Sequence, residues 1–284
     1  MNPLYWLLPW EFSPTVLLSC AAISTLFARG VRFEQSIGRR IAWFRQLGFY
    51  TGITLLYAPL QTRFDYLAQH MFWIHRLQHL LLHHLGPFLI ALSAPWSFIS
   101  AGLPASIRIR LRGIWYSESV QRIYRFLQQP VVAFGLFIGL IGFWLWPSVH
   151  FTAMLSATDY RWMNWSMAVD GLLFWWLLLD PRPRDQGARL GFGARIPIVL
   201  LTIPPQIAIG AYLSLHRHIV YDVYAVCGRL WPMDAVTDQQ TGGLITWIPA
   251  SMMSVVAALI LIRRWMYNDD RMRRNATDAN AVRI

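Results

Sequence analysis

Runs of roughly twenty mainly apolar residues constrain this chain more than any other feature. They lie at about 14–30, 41–60, 77–100, 130–149, 162–180, 195–215 and 242–264. Each is long enough to cross the hydrocarbon of a bilayer as a helix, and a backbone there must satisfy its own hydrogen bonds. Composition agrees: 56% of residues are hydrophobic and 14% charged, where a soluble domain carries about a quarter charged. The expected fold is an all-α integral membrane protein, a seven-transmembrane-helix bundle. Residues 1–267 form its single domain and 268–284 a polar tail, the one stretch whose composition suggests disorder. Pro204-Pro205 falls inside the sixth run and predicts a kink or break. Cys20 and Cys227 form no CxxC pair, which argues against a disulfide framework or thiolate zinc site. "LLSC" ending at Cys20 resembles a lipoprotein box only faintly, since no basic residue precedes it, so the first run is expected to remain a helix.

The charge pattern sets an orientation. The formal net charge is +11, and every basic residue is arginine. In a soluble chain that charge would suggest nucleic acid. Here the arginines sit between apolar runs, which points to lipid headgroups. Of 25 arginines, 20 fall in the connections between runs one and two, three and four, and five and six, or after run seven. The positive-inside rule then predicts a cytoplasmic C-terminus and an outer N-terminus, in a multi-pass protein of a bacterial inner membrane.

That orientation gives the eight histidines meaning. All lie in, or start from, the outer half. His75, His79 and His83 are spaced i, i+4, i+8 and form one helical stripe. His84 points nearly opposite to His75, so a structural hydrogen bond to a neighbouring helix is its expected role. Neutral imidazoles bind copper, zinc, nickel or iron. A lone histidine at a helix end is more simply a polar anchor; three on one stripe, with His150 at the same level, favour a metal or cofactor. Methionines on that side (Met154, Met163, Met167, Met233, Met252, Met253) would suit cuprous copper, or only fill the core.

Two further polar features stand out. "DAVTDQQTGGLITWIPA" (234–250) opens the seventh run with Asp238, Gln239 and Gln240; the following Gly242-Gly243 permits close helix approach. Thr237 or Asp238 could simply cap the helix. Asp170 is an acid inside the fifth run; it either relays protons, pairs with a buried arginine or histidine, or stays protonated as a structural group.

Three stretches resemble one family, the CtaG-like cytochrome c oxidase assembly factors, seven-helix bacterial membrane proteins. "HRLQHLLLHHLGPFLIALSAP" (75–95) looks like its H-x-x-Q-H-L-L-L segment with a closing proline. "VYDVYA" (220–225) is similar to its tyrosine-rich loop. "DQQTGGLITWIPASMM" (238–253) looks like its D-Q-Q-x-x-G-x-x-x-W-x-P signature. The resemblance implies a factor that matures haem-copper oxidases by handling copper on the periplasmic side. It carries onto His75, His79, Asp238 and Gln239, with His150 also at a matching place and His83 as a deeper polar site. Arg76 stands where the family often has methionine. Near the start of run five, Tyr160, Asn164 and Trp165 stand where many members have histidines.

The implied partners are haem-copper oxidase subunits, a periplasmic copper chaperone and membrane lipids, with no nucleic acid. Alternatives are a cytochrome holding haem b between His79 and His150, a metal-free structural subunit of the oxidase, and a copper permease. No nucleophile–histidine–acid set, phosphate loop or nucleotide motif is present, so an enzyme is not expected.

Overall fold

In a computed structural model the described residues are 8–281, with side chains described through residue 275. They are mainly helical, with no strand among them beyond an isolated bridge between Pro9 and Thr62. The helices are α1 (Pro14–Ser36), α2 (Trp43–Gln61), α3 (Arg63–His70), α4 (Phe72–His79), α5 (Gly86–Ser93), α6 (Trp96–Gly102), α7 (Ala105–Trp115), α8 (Glu118–Leu127), α9 (Pro130–Trp144), α10 (Pro147–Leu155), α11 (Ala157–Leu179), α12 (Phe192–Leu201), α13 (Ile203–Leu215), α14 (Val223–Cys227) and α15 (Ala235–Ala281). A π-helical turn, Leu80–Leu85, joins α4 to α5.

By length and apolarity three helices can cross a membrane: α1, α12 continued by α13, and α15 over Ala235–Asn275. The number rises to five if two bent pairs each count as one span. In one pair Phe72–Ser93 meets α6 at 69°, and in the other α8 meets α9 at 66°. α2 and α11 lie on the two remaining apolar runs. α11 is long enough, but Asp159, Arg161, Asn164 and Asp170 lower its apolarity.

Local chemistry sets the boundaries. Ser13 caps α1, its hydroxyl accepting from the Val16 amide at 3.5 Å with Pro14 at the first position. The third run starts earlier than 77: Met71 is extended and α4 begins at Phe72. It closes earlier too. Ala94 takes a left-handed conformation, and the Arg45 guanidinium donates to the Ser93 and Ala94 carbonyls at 2.9 and 3.0 Å. The fourth run ends at Trp144, and His150 sits on the separate helix α10. Thr202 interrupts the sixth run just before Pro204-Pro205, as the prolines predict. The tail after Tyr267 is not irregular: α15 carries it as helix to Ala281.

α15 is the central strut, packed against α4, α12 and α13. Gly242 and Gly243 let it come close: a Cβ on Gly242 would collide with the Phe72 ring, and one on Gly243 would sit 2.6 Å from the Ser214 amide. The main core cluster, with Phe88, Phe137, Phe174, Trp175, Leu178 and Leu261, fills the middle of the bundle. A second cluster with Phe72, Leu145, Tyr221 and Tyr224 closes the histidine end. Leu18, Val131 and Leu259 point outward, as apolar side chains facing lipid would.

Candidate functional site

Three imidazoles meet at the histidine end. His75 and His79, one turn apart on α4, have ring centroids 4.4 Å apart. His150 comes from α10 and meets His75 edge-on at 5.1 Å. All three are buried. Their free electron pairs differ. His150 Nδ1 donates to the Trp144 carbonyl at 2.9 Å, and its Nε2 lies 3.0 Å from the Tyr224 hydroxyl. Burial pushes the Tyr224 phenol up, so it stays protonated and donates to that nitrogen. His79 Nδ1 accepts from the Arg76 guanidinium at 3.2 Å, which leaves Nε2 without a hydrogen bond of good geometry. His75 has neither nitrogen so bonded; its one weak approach is to the Ala68 backbone. A fully buried imidazole without partners costs free energy, which sets His75 apart from the other two.

Surrounding groups hold the trio in place. Gln78 points to the other side of α4. Its amide donates to the Pro59 carbonyl at 2.7 Å and to Asp65 at 2.8 Å, and its oxygen accepts from Tyr160 at 3.0 Å. Tyr160 also donates to Asp65 at 2.8 Å. This network ties α3, α4 and α11 together. Arg76 is buried, and its hydrogen bonds go to neutral groups, His79 and the Thr246 hydroxyl at 2.9 Å.

Asp238 and Gln239 are not joined to the histidines. The Asp238 carboxylate accepts from the Phe72 and Trp73 amides at 3.1 and 2.9 Å and from Arg229 at 2.6 Å. It therefore caps α4 from another helix, which is why that helix starts early. Gln239 accepts from the Val220 amide at 2.7 Å and donates to the His218 carbonyl at 3.1 Å, stapling the tyrosine loop. Among the described residues, no three His, Cys, Asp or Glu side chains converge as a metal-holding group.

His83 and His84 form a separate pair deeper in the bundle, with centroids 4.9 Å apart. The expectation that His84 faces away from the others is corrected. It assumed a regular α-helix, but Leu80–Leu85 is a π turn in which residues five apart align. His84 thus returns beneath His79 and borders the same cavity of 10 Å³ with Arg76, Met167 and Thr246. That volume holds about one water; a porphyrin needs hundreds of Å³. His84 Nε2 does meet a neighbouring helix, 3.4 Å from the Gln206 amide on α13. His83 Nε2 meets Asp170 at 3.0 Å, so of the readings of this acid the structure shows a pairing with buried histidine. His70, His216 and His218 lie nearer the surface and join neither group.

Thr246, Gln206 and Asp65 escaped sequence reasoning, and Arg76 and Tyr160 stood out only as departures from the family pattern, without their partners. Tyr160 and Asp65 are 95 residues apart, and no local pattern links them. Tyr224 had a signal, since it lies in the tyrosine-rich stretch, but nothing there pointed to His150.

Comparison with known proteins was made on this geometry. The chain is 26% identical over 249 residues to an uncharacterised protein of Mycobacterium bovis and, equally, to one of Mycobacterium tuberculosis. Each alignment covers 83% of this chain but 35% of the relative, so the chain spans about a third of the length of the curated relatives it matches. No solved structure matches it. The sequence profile of the cytochrome c oxidase caa3 assembly factors matches residues 25–268, taking in both histidine groups, Asp238 and the tyrosine loop. The chain is a membrane protein that belongs to the cytochrome c oxidase caa3 assembly factor family.

Proposed function

We propose that the chain takes up copper at His75 and His79 on the outer side of a bacterial inner membrane and passes it to a haem-copper oxidase subunit. The observation that carries this reading is His75, fully buried with no good hydrogen bond on either nitrogen, 4.4 Å from His79. Copper here is cargo. The donors fit a low-coordinate ion: His75 is ready, His79 joins when Arg76 releases its Nδ1, and His150 joins when Tyr224 releases its Nε2. A cuprous d¹⁰ ion accepts so small a set, and cargo must leave again, so an incomplete cage suits transfer. Asp238 and Gln239 act in this reading as the clamp that fixes α4 and the tyrosine loop.

In this reading α2 and α11 cross beside the three to five apolar spans, giving the seven runs of the sequence. The arginine bias supports an outer position for the histidine end, where a periplasmic copper donor would have access. The expected result of metal analysis is one cuprous ion lost from the purified chain in a His75→Ala/His79→Ala double variant, with oxidase maturation failing in cells. Equal copper in both proteins together with normal oxidase would overturn the proposal.

A further inference from the structure

The π turn at Leu80–Leu85 has no explanation in the outer site. Such turns are rare and costly, and they gather at functional positions. This one is built from several sides. Trp175 donates its indole N–H to the His83 carbonyl at 3.2 Å, taking up a backbone acceptor. Gly171 on α11 presses against the same carbonyl, and a Cβ there would collide with it. The neighbouring Asp170 is thereby brought to His83. The His83 ring stacks on Phe137 at 4.2 Å, and His84 packs on the same ring at 5.1 Å.

What this construction presents is two imidazole nitrogens without partners. Nδ1 of His83 and Nδ1 of His84 are both buried and unbonded. A water in the adjacent cavity could reach His84 but not His83, which does not line it. Asp170 accepts the Nε2–H of His83, which leaves the lone pair on Nδ1. A carboxylate behind a histidine is the usual support of a metal ligand. The amide of Gln206, whose Oε1 is also unbonded, can do the same for His84 once its oxygen and nitrogen are exchanged.

We propose that His83 and His84 form a second cuprous-ion site, about one turn (~6 Å) deeper than His79 and oriented by Asp170. It rests on the reading above that the chain handles copper. Two-coordinate binding by imidazole suits a d¹⁰ monovalent ion. Charge favours the same ion. Asp170 offsets one positive charge, while the nearby Arg76 opposes a divalent one.

The test titrates cuprous ion into the full chain in lipid nanodiscs against a chromogenic cuprous chelator. Wild type is expected to bind two ions and His75→Ala/His79→Ala one. X-ray absorption of that one should show two nitrogen neighbours. Adding Asp170→Asn should weaken it 10- to 100-fold, and adding His83→Leu/His84→Leu should abolish it. If the leucine variant does not fold, Asp170→Asn decides. One ion in wild type and none in His75→Ala/His79→Ala would overturn this inference and leave the proposed function standing. No ion in wild type would overturn both. A second ion indifferent to Asp170→Asn would overturn the site as built.

Discussion

Two residues decide how the outer cluster behaves. Tyr224 holds the His150 nitrogen with a neutral hydrogen bond, worth about 1 kcal/mol net. Tyr224→Phe removes that donor with little change in shape. The freed nitrogen should raise cuprous affinity roughly fivefold, read by chelator competition; an unchanged affinity would remove His150 from the donor set. Asp65 controls the frame behind the cluster. Burial pushes its carboxyl up to about 6 from an ordinary 3.8, against the lowering effect of Tyr160, Gln78 and Gln69, which all donate to it. The folded chain then holds this proton more tightly than the unfolded chain. Its contribution to stability is greatest below the unfolded value, falls as pH rises between about 4 and 6, and is level above. Thermal unfolding in detergent should show a decline across that window in wild type that Asp65→Asn flattens. Parallel curves for the two proteins would refute the assignment.

At the scale of elements, the placement of α4 follows from a carboxylate on α15. Asp238 satisfies two amides that a helix start leaves open and pairs with Arg229 at the same time. Asp238→Ala leaves two amides and the half-buried Arg229 guanidinium without this carboxylate, at a cost of about 2–4 kcal/mol. The chain should lose much of its thermal stability. Asp238→Asn should lose less, and neither should alter the donor atoms at His75 in the protein that stays folded. A selective loss of copper from a fully stable Asp238→Asn would instead make Asp238 a ligand. This residue also shows what sequence could reveal. The D-Q-Q stretch marked a special position, and a cap was one of its readings. Its target was hidden because the capped helix is 165 residues away. His84 was misplaced for a different reason: periodicity assumes 3.6 residues per turn, and the π turn breaks that phase through contacts with Gly171 and Trp175 that no local pattern encodes. Gly171→Ala should force α11 off the His83 carbonyl, lower stability by about 1–3 kcal/mol and part Asp170 from His83. A fully stable Gly171→Ala would deny the close approach its role.

For the whole molecule, apolar length made the helical class legible and the three motif stretches (75–95, 220–225 and 238–253) made the family legible before any tertiary contact was known. Span number was less legible, because α11 carries four polar groups that point into the bundle or its ends rather than into lipid. Asp170 and Asn164 are buried against neighbours, so a hydropathy average penalises them although lipid never meets them. α2 and α11 should therefore cross despite their polarity. The arginine-rich end, with α7, α8 and the distal part of α15, should then lie together in the cytoplasm. α8 suits that level: it has no buried residue, exposes Ile123 and Phe126, and carries Arg122 and Arg125. Reporter fusions can decide this. A phosphatase active only outside should be silent after residues 36, 116, 186 and 268, and active after 70, 156 and 230. A joint reversal at 186, 230 and 268 would remove α11 as a span. A reversal at every site would invert the molecule and move both histidine groups to the cytoplasmic side, where a periplasmic copper donor could not reach them.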